Sequence, residues 1–110
     1  MRTTFFFSLA AALTAILAGL VPAVSGTLVI KGSTTVLPIA QKAVEAYMAE
    51  HPETKISLSG GGSSNGIKAL LDGSTDIANA SRFIKPKEIR MAAERDLYPV
   101  PFAIAYDSII

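Results

Sequence analysis

Apolar positions fall along this 110-residue chain in two different ways. From Phe5 to Leu20 they form an apolar run of Phe, Leu, Ala and Ile, broken only by Ser8, Thr14 and Gly19. From Thr27 onward they come in short blocks separated by segments with helical spacing. Leu28-Val29-Ile30, β-branched and bounded by Gly26 and Gly32, predicts a buried strand. Val36, Ala40, Ala43, Val44 and Tyr47 then share one face at spacings of three and four, which predicts an amphipathic helix. Ser33-Thr34-Thr35 can cap its start, Pro38 is tolerated in its first turn, and His51-Pro52 ends it. The pattern repeats. Lys55-Ile56-Ser57-Leu58-Ser59 alternates with period two as a second strand, and Gly60 to Gly66 reads as a loop. Ile67 to Leu71 follows as a short helix stopped by Asp72-Gly73, and Asp76 to Ala80 as a third strand. Pro86 opens a third helix over Lys87 to Leu97, and Tyr98 to Tyr106 is a fourth extended run. Strands alternating with helices predict an α/β fold with a mostly parallel sheet flanked by helices on both faces.

Composition separates the two parts. Residues 1–25 hold a single charged side chain, Arg2, ahead of the apolar run, and small residues Ala23 and Ser25 follow Pro22. A short positive start, an apolar middle and a small-residue end make up a signal peptide, with cleavage after Ser25 or Ala23. The apolar run of roughly sixteen residues is shorter than the ~20 that span a bilayer. The predicted organisation is therefore a signal peptide over 1–25 and an α/β lobe over 26–110, exported to the periplasm. In that lobe Lys and Arg balance Asp and Glu, so bulk positive charge offers no surface for nucleic acid. The absence of cysteine excludes disulfides, thiolate metal sites, cysteine nucleophiles and a lipoprotein anchor. His51 alone cannot build a multi-histidine metal cluster. The fourth run reaches Ile109-Ile110 with no turn signal, cap or polar tail, the pattern of a strand within a longer chain.

Candidate chemistry gathers where an open α/β sheet binds ligands, outside the carboxyl ends of its strands. Gly32-Ser33-Thr34-Thr35 follows the first strand, Gly60 to Gly66 with Ser63 and Ser64 the second, and Ser81-Arg82 the third. Backbone N–H groups at helix starts favour an anion, hydroxyls add neutral donors, and Arg82 offers a planar charged fork. Oxyanion binding is the function this pattern supports. Other motifs do not fit. Gly66 is followed by Ile67-Lys68 where a P-loop needs Lys-Ser/Thr, and Asn65 stands where a dinucleotide fingerprint needs its third glycine. His51, at the far end of a helix, is not placed to serve a serine nucleophile, and Asp72 and Asp76 read as turn formers.

Gly32-Ser-Thr-Thr-Val-Leu-Pro38, Gly60-Gly-Gly-Ser-Ser-Asn-Gly-Ile67 and Asp76-Ile-Ala-Asn-Ala-Ser-Arg82 resemble, in order and spacing, the phosphate-binding proteins of bacterial phosphate ABC transporters (PstS type). Pro86-Lys-Glu-Ile89 and Ala103-Ile-Ala-Tyr-Asp107 fit less specifically. The resemblance implies the first lobe of a type II periplasmic-binding-protein (Venus flytrap) fold, and a monomeric, non-enzymatic receptor without cofactor or metal. It implies inorganic phosphate as ligand and an inner-membrane ABC permease as partner. Thr34, Thr35, Ser63, Ser64, Ser81 and Arg82 are the site positions it marks. Some members carry an aspartate after the third-loop serine that accepts a hydrogen bond from protonated phosphate; Arg82 stands there in this chain, leaving Asp107 as the candidate acceptor. Two alternatives remain open at this point: a receptor for sulfate or molybdate, and a secreted phosphatase whose base or metal ligands come from elsewhere.

Overall fold

A computed structural model describes residues 26–108. The signal-peptide reading of residues 1–25 lies outside them. Three strands and three helices alternate: β1 Thr27–Gly32, α1 Leu37–Glu50, β2 Lys55–Ser59, α2 Ser63–Leu71, β3 Ile77–Asn79 and α3 Pro86–Ala93. The strands form one sheet in the order β2-β1-β3, parallel throughout. Leu28 pairs with Ile56 and Ile30 with both Leu58 and Ile77, so these side chains share one face. Val29, Lys31, Ser57 and Ala78 take the other. The α/β expectation, a parallel sheet with flanking helices, holds.

The strand order explains the two-sided cover. The chain leaves β1 toward β2 on one side and then returns across β1 to β3 on the other. Right-handed crossovers run in opposite directions deposit their helices on opposite faces. Accordingly, Ala43, Val44 and Tyr47 of α1 lie over Leu28 and Ile56. Ile67 and Leu71 of α2 instead form a cluster with Ala92 of α3, against which Ala78, Ala80, Ile84 and Met91 pack. This reversal places a crevice at the carboxyl ends of β1, β2 and β3, with Gly32, Ser59 and Asn79 side by side.

Three local departures from the sequence pattern have physical causes. Helix α2 begins at Ser63, four residues before the expected Ile67, so only Gly60 to Gly62 remain as loop. Ser, Asn and Gly are weak helix formers, but packing overrides propensity here. Gly66 lies directly on β1, where an added Cβ would come 2.5 Å from the Gly32 Cα and 2.7 Å from the Lys31 carbonyl oxygen. Gly62, at φ 97°, sets the chain direction into the helix from a conformation that side chains disfavour. Helix α3 ends at Ala93 and not Leu97, because Asp96 turns into the left-handed region (φ 54°) and the Leu97 N–H bonds the Ala92 carbonyl at 2.9 Å. The run from Tyr98, expected as a fourth strand, forms no strand among the described residues. Pro99 and Pro101 lack the N–H donors a ladder needs, and Phe102 and Tyr106 stand 82% and 94% exposed.

The turn beneath the sheet accounts for two of the acidic residues. Asp76 Oδ2 accepts the Val29 N–H at 2.8 Å, and the buried Thr75 hydroxyl donates to the Val29 carbonyl at 2.8 Å. Asp72 pairs with Arg95 at 2.8 Å. Both aspartates are thus structural, as their turn context suggests. His51 lies at the opposite end of α1 from the crevice, stacked on Tyr47 at a centroid distance of 4.4 Å.

Candidate functional site

Three loops meet at the crevice and are stitched together by their own hydrogen bonds. The Ser33 N–H donates to the Asn79 carbonyl at 2.9 Å, tying the loop after β1 to the end of β3. The Gly62 N–H donates to the Gly32 carbonyl at 2.9 Å, tying the loop after β2 to β1. The Ser81 N–H donates to Ser63 Oγ at 3.0 Å, tying the loop after β3 to the start of α2. Ser33 is buried and its Oγ accepts the Val36 N–H at 3.2 Å, so Ser33 and not Thr34 or Thr35 supports the first turn of α1. Thr34 and Thr35 remain exposed, and among the described residues their hydroxyls have no hydrogen-bond partner. The methyl of Thr34 lies over Gly60, where a Cβ would stand 3.2 Å from it.

The centre of the site is a group of three serines. Ser63 Oγ and Ser81 Oγ are 3.2 Å apart, with either able to donate. Ser63 Oγ already accepts the Ser81 N–H, so one of the two hydroxyl hydrogens joins the pair and the other is free to point outward. Ser64 Oγ accepts from Arg82 Nη2 at 3.1 Å, which leaves its own hydrogen free. The first N–H groups of α2 have no intrahelical acceptor, and the positive end of the helix dipole lies with them. Oriented hydroxyls and amides around a helix start suit an anion, and they act without any net charge.

Arg82 departs from what its sequence position suggests. Its Nη1 donates to Glu88 Oε2 at 3.0 Å and to the Phe83 carbonyl at 2.9 Å. Its Nη2 donates to Glu88 Oε1 at 2.8 Å and to Ser64 Oγ at 3.1 Å. All four terminal N–H groups are therefore committed within the protein, and only Nε–H is left. Glu88 also accepts the Lys85 N–H at 2.8 Å, which satisfies a donor at the start of α3. The Arg82 hydrogen bond, reinforced by the Lys85 N–H, holds the Glu88 carboxyl down at about 2, and the same bond raises Arg82. The two side chains are 27% and 18% exposed, shielded enough for the pair to persist against solvent.

A family model described as a PBP superfamily domain matches residues 20–110. This chain belongs to the PBP superfamily. It is 35% identical over 79 residues to phosphate-binding protein PstS of Staphylococcus haemolyticus, an alignment covering 72% of this chain and 25% of that protein. It is 42% identical over 64 residues to phosphate-binding protein PstS 2 of Streptococcus pneumoniae, covering 58% and 22%. Among solved structures, a possible phosphate binding protein from Planctomyces limnophilus superposes with a TM-score of 0.64 at 32% identity, covering 67% of this chain and 26% of that one. A phosphate-binding protein of a Streptococcus pneumoniae phosphate ABC transporter superposes at 0.57 with 40% identity, covering 62% and 26%. The chain spans about a quarter of the length of these curated relatives.

In this PBP-superfamily lobe the positions singled out by sequence divide into three groups. Ser63, Ser64, Ser81 and Arg82 are brought into one hydrogen-bonded cluster. Thr34 and Thr35 stand on the adjoining loop, joined to it through Gly60 and Gly32. Asp107 lies in the exposed segment beyond α3, and no hydrogen bond links it to the cluster among the described residues. Glu88 escaped the sequence reading. Its available signal was position: a glutamate three residues after Lys85, just past Pro86, is where a helix start places an acceptor. No group of three or more metal-ligating side chains occurs among the described residues, and no described helix is long and apolar enough to cross a membrane.

Proposed function

We propose that residues 26–110 are one lobe of a two-lobed periplasmic receptor. It captures inorganic phosphate as a monomer and delivers it to the permease of an ABC transporter. The observation that carries this reading is the cluster of Ser63, Ser64 and Ser81 hydroxyls at the start of α2, at the reversal point of a parallel sheet. Such a site replaces the water around an oxyanion with fixed neutral donors. Similarity to proteins named phosphate-binding protein PstS supports phosphate over other oxyanions. In this reading Thr34 and Thr35 add hydroxyl and backbone donors from the first loop. Asp107 is the candidate acceptor for a phosphate proton, arriving from the segment beyond α3. The rest of the ligand shell comes from a second lobe that closes over the first.

In this reading the receptor binds and releases its ligand without chemistry, a reading supported by the names of the transport proteins it resembles. A phosphatase would need a base beside one of these hydroxyls. Among the described residues Ser63 Oγ meets the hydroxyl and N–H of Ser81, and Ser64 Oγ meets a guanidinium, so such a base would have to come from outside this lobe. Calorimetric titration with phosphate and with sulfate, on residues 26–110 and on the full native chain, tests the proposal. Tight phosphate-selective binding by the full chain, and weak or no binding by residues 26–110, is the expected result. A full chain indifferent to phosphate refutes the ligand; a lobe that binds tightly alone refutes the clamshell.

A further inference from the structure

We infer that Arg82 and Glu88 are positioning residues: Glu88 clamps the guanidinium, and the guanidinium fixes Ser64 as an outward hydroxyl donor to the bound anion. The inference rests on the phosphate reading and adds to it a division of labour between ligand-touching and ligand-orienting groups.

A serine hydroxyl has one hydrogen and two lone pairs, and in solution it can present either to a ligand. Arg82 Nη2 occupies a lone pair of Ser64 Oγ at 3.1 Å, so the oxygen accepts from inside and its hydrogen is directed outward. That arrangement presents a donor to any unprotonated oxygen of an anion. The guanidinium cannot turn to meet the anion itself without giving up one of four bonds. Two of those bonds go to a carboxylate in the parallel geometry that makes Arg–carboxylate pairs strong. The carboxylate is in turn held by the Lys85 N–H at 2.8 Å, which anchors the clamp to the start of α3. Because Glu88 matches the charge of Arg82, the device orients a hydroxyl without leaving an uncompensated cation beside the anion.

A double-mutant cycle separates positioning from direct contact. In the full native chain, Ser64→Ala and Arg82→Gln are each expected to weaken phosphate binding roughly tenfold, the factor for one hydrogen bond to a charged group. The double variant is expected to match Ser64→Ala within about twofold, because Arg82 acts through that hydroxyl. Arg82→Lys keeps the charge but cannot bridge Glu88 and Ser64 together, so it is expected to bind as weakly as Arg82→Gln. A double variant near a hundredfold weaker, or wild-type affinity in Arg82→Lys, overturns the inference in favour of a direct ligand or a bulk charge. A ligand-free readout keeps the clamp separate from the phosphate reading. Nitrogen-resolved NMR of the Arg82 side chain should show hindered Nη rotation in the wild type and free rotation in Glu88→Gln. Free rotation in the wild type overturns the clamp whether or not phosphate binds, whereas hindered rotation in a chain that ignores phosphate leaves the clamp standing and removes only the ligand.

Discussion

Gly66→Ala distinguishes packing from propensity at the site's foundation, because the two predict opposite signs. On helix propensity alone, alanine in place of a helical glycine stabilises by about 1 kcal/mol. The contact with β1 argues the reverse. A Cβ at residue 66 would lie 2.5 Å from the Gly32 Cα and 2.7 Å from the Lys31 oxygen, while non-bonded carbons rest at about 3.5–4.0 Å. The obstacles are backbone in the central strand, so no side chain can swing aside. Relief needs α2 to retreat by about 1 Å from β1, and overpacking of this kind costs about 1–3 kcal/mol or more. After the propensity gain of about 1 kcal/mol is offset, the net effect is a destabilisation of up to about 2 kcal/mol, where propensity alone gives a stabilisation. The same retreat carries Ser63 and Ser64 away from Ser81, so in the full native chain of the proposed receptor phosphate affinity should fall by roughly tenfold or more, since about 1.4 kcal/mol of lost contact suffices for that. Chemical denaturation followed by circular dichroism, with calorimetric phosphate titration in parallel, measures both. Lys68→Ala, an exposed change on the same helix, serves as the control and should alter neither by much. A Gly66→Ala protein more stable than the wild type, with unchanged affinity, would refute the close approach of α2 to β1.

Two further outcomes follow from the packing and the charge pair. Leu71→Ala removes a residue 5% exposed from the small cluster shared by α2 and α3, and should cost about 2–4 kcal/mol in denaturant unfolding; a loss under 1 kcal/mol would show that the cluster does not hold the helices together. Glu88 titrates at about 2 in the folded protein, below its unfolded value, so its contribution to stability is complete above about pH 4.5 and is lost as pH falls toward 2. Glu88→Gln should therefore unfold with a shallower acid dependence across that window, and carboxyl NMR placing Glu88 in the ordinary glutamate range would contradict the bidentate pair.

What the sequence disclosed tracks the physical range of the signals. Strand β2 was legible to the residue because its period-two alternation over Lys55–Ser59 is local, and β1 was legible because its apolar block is bounded by glycines. The start of α2 was not. Ser-Ser-Asn-Gly has weak helical propensity, and what turns it into helix is contact with a strand more than thirty residues earlier. The strand character expected of Tyr98 to Tyr106 was equally a local inference, but pairing is a property of two strands, and this run pairs with neither edge of the described sheet.

The site follows the same rule, because the partners a residue meets depend on contacts that its own position does not carry. Ser63, Ser64, Ser81 and Arg82 were recognisable because each falls after a strand, where an open sheet collects ligands. The sequence suggested that Arg82 would meet the anion, since an exposed guanidinium beside hydroxyls is the usual oxyanion fork. Its surroundings depend on Glu88, which lies six residues on in the first turn of the next helix, beyond the loop that defines the site. Once Glu88 takes two of the terminal donors and Phe83 a third, the remaining one reaches Ser64, the arrangement on which the proposed bracing role rests. A glutamate at the third position of a helix is ordinarily only a capping acceptor. Here the same carboxylate closes the start of α3 and orders the hydroxyl at the start of α2, so the two helix starts that frame the crevice are coupled through one charge pair.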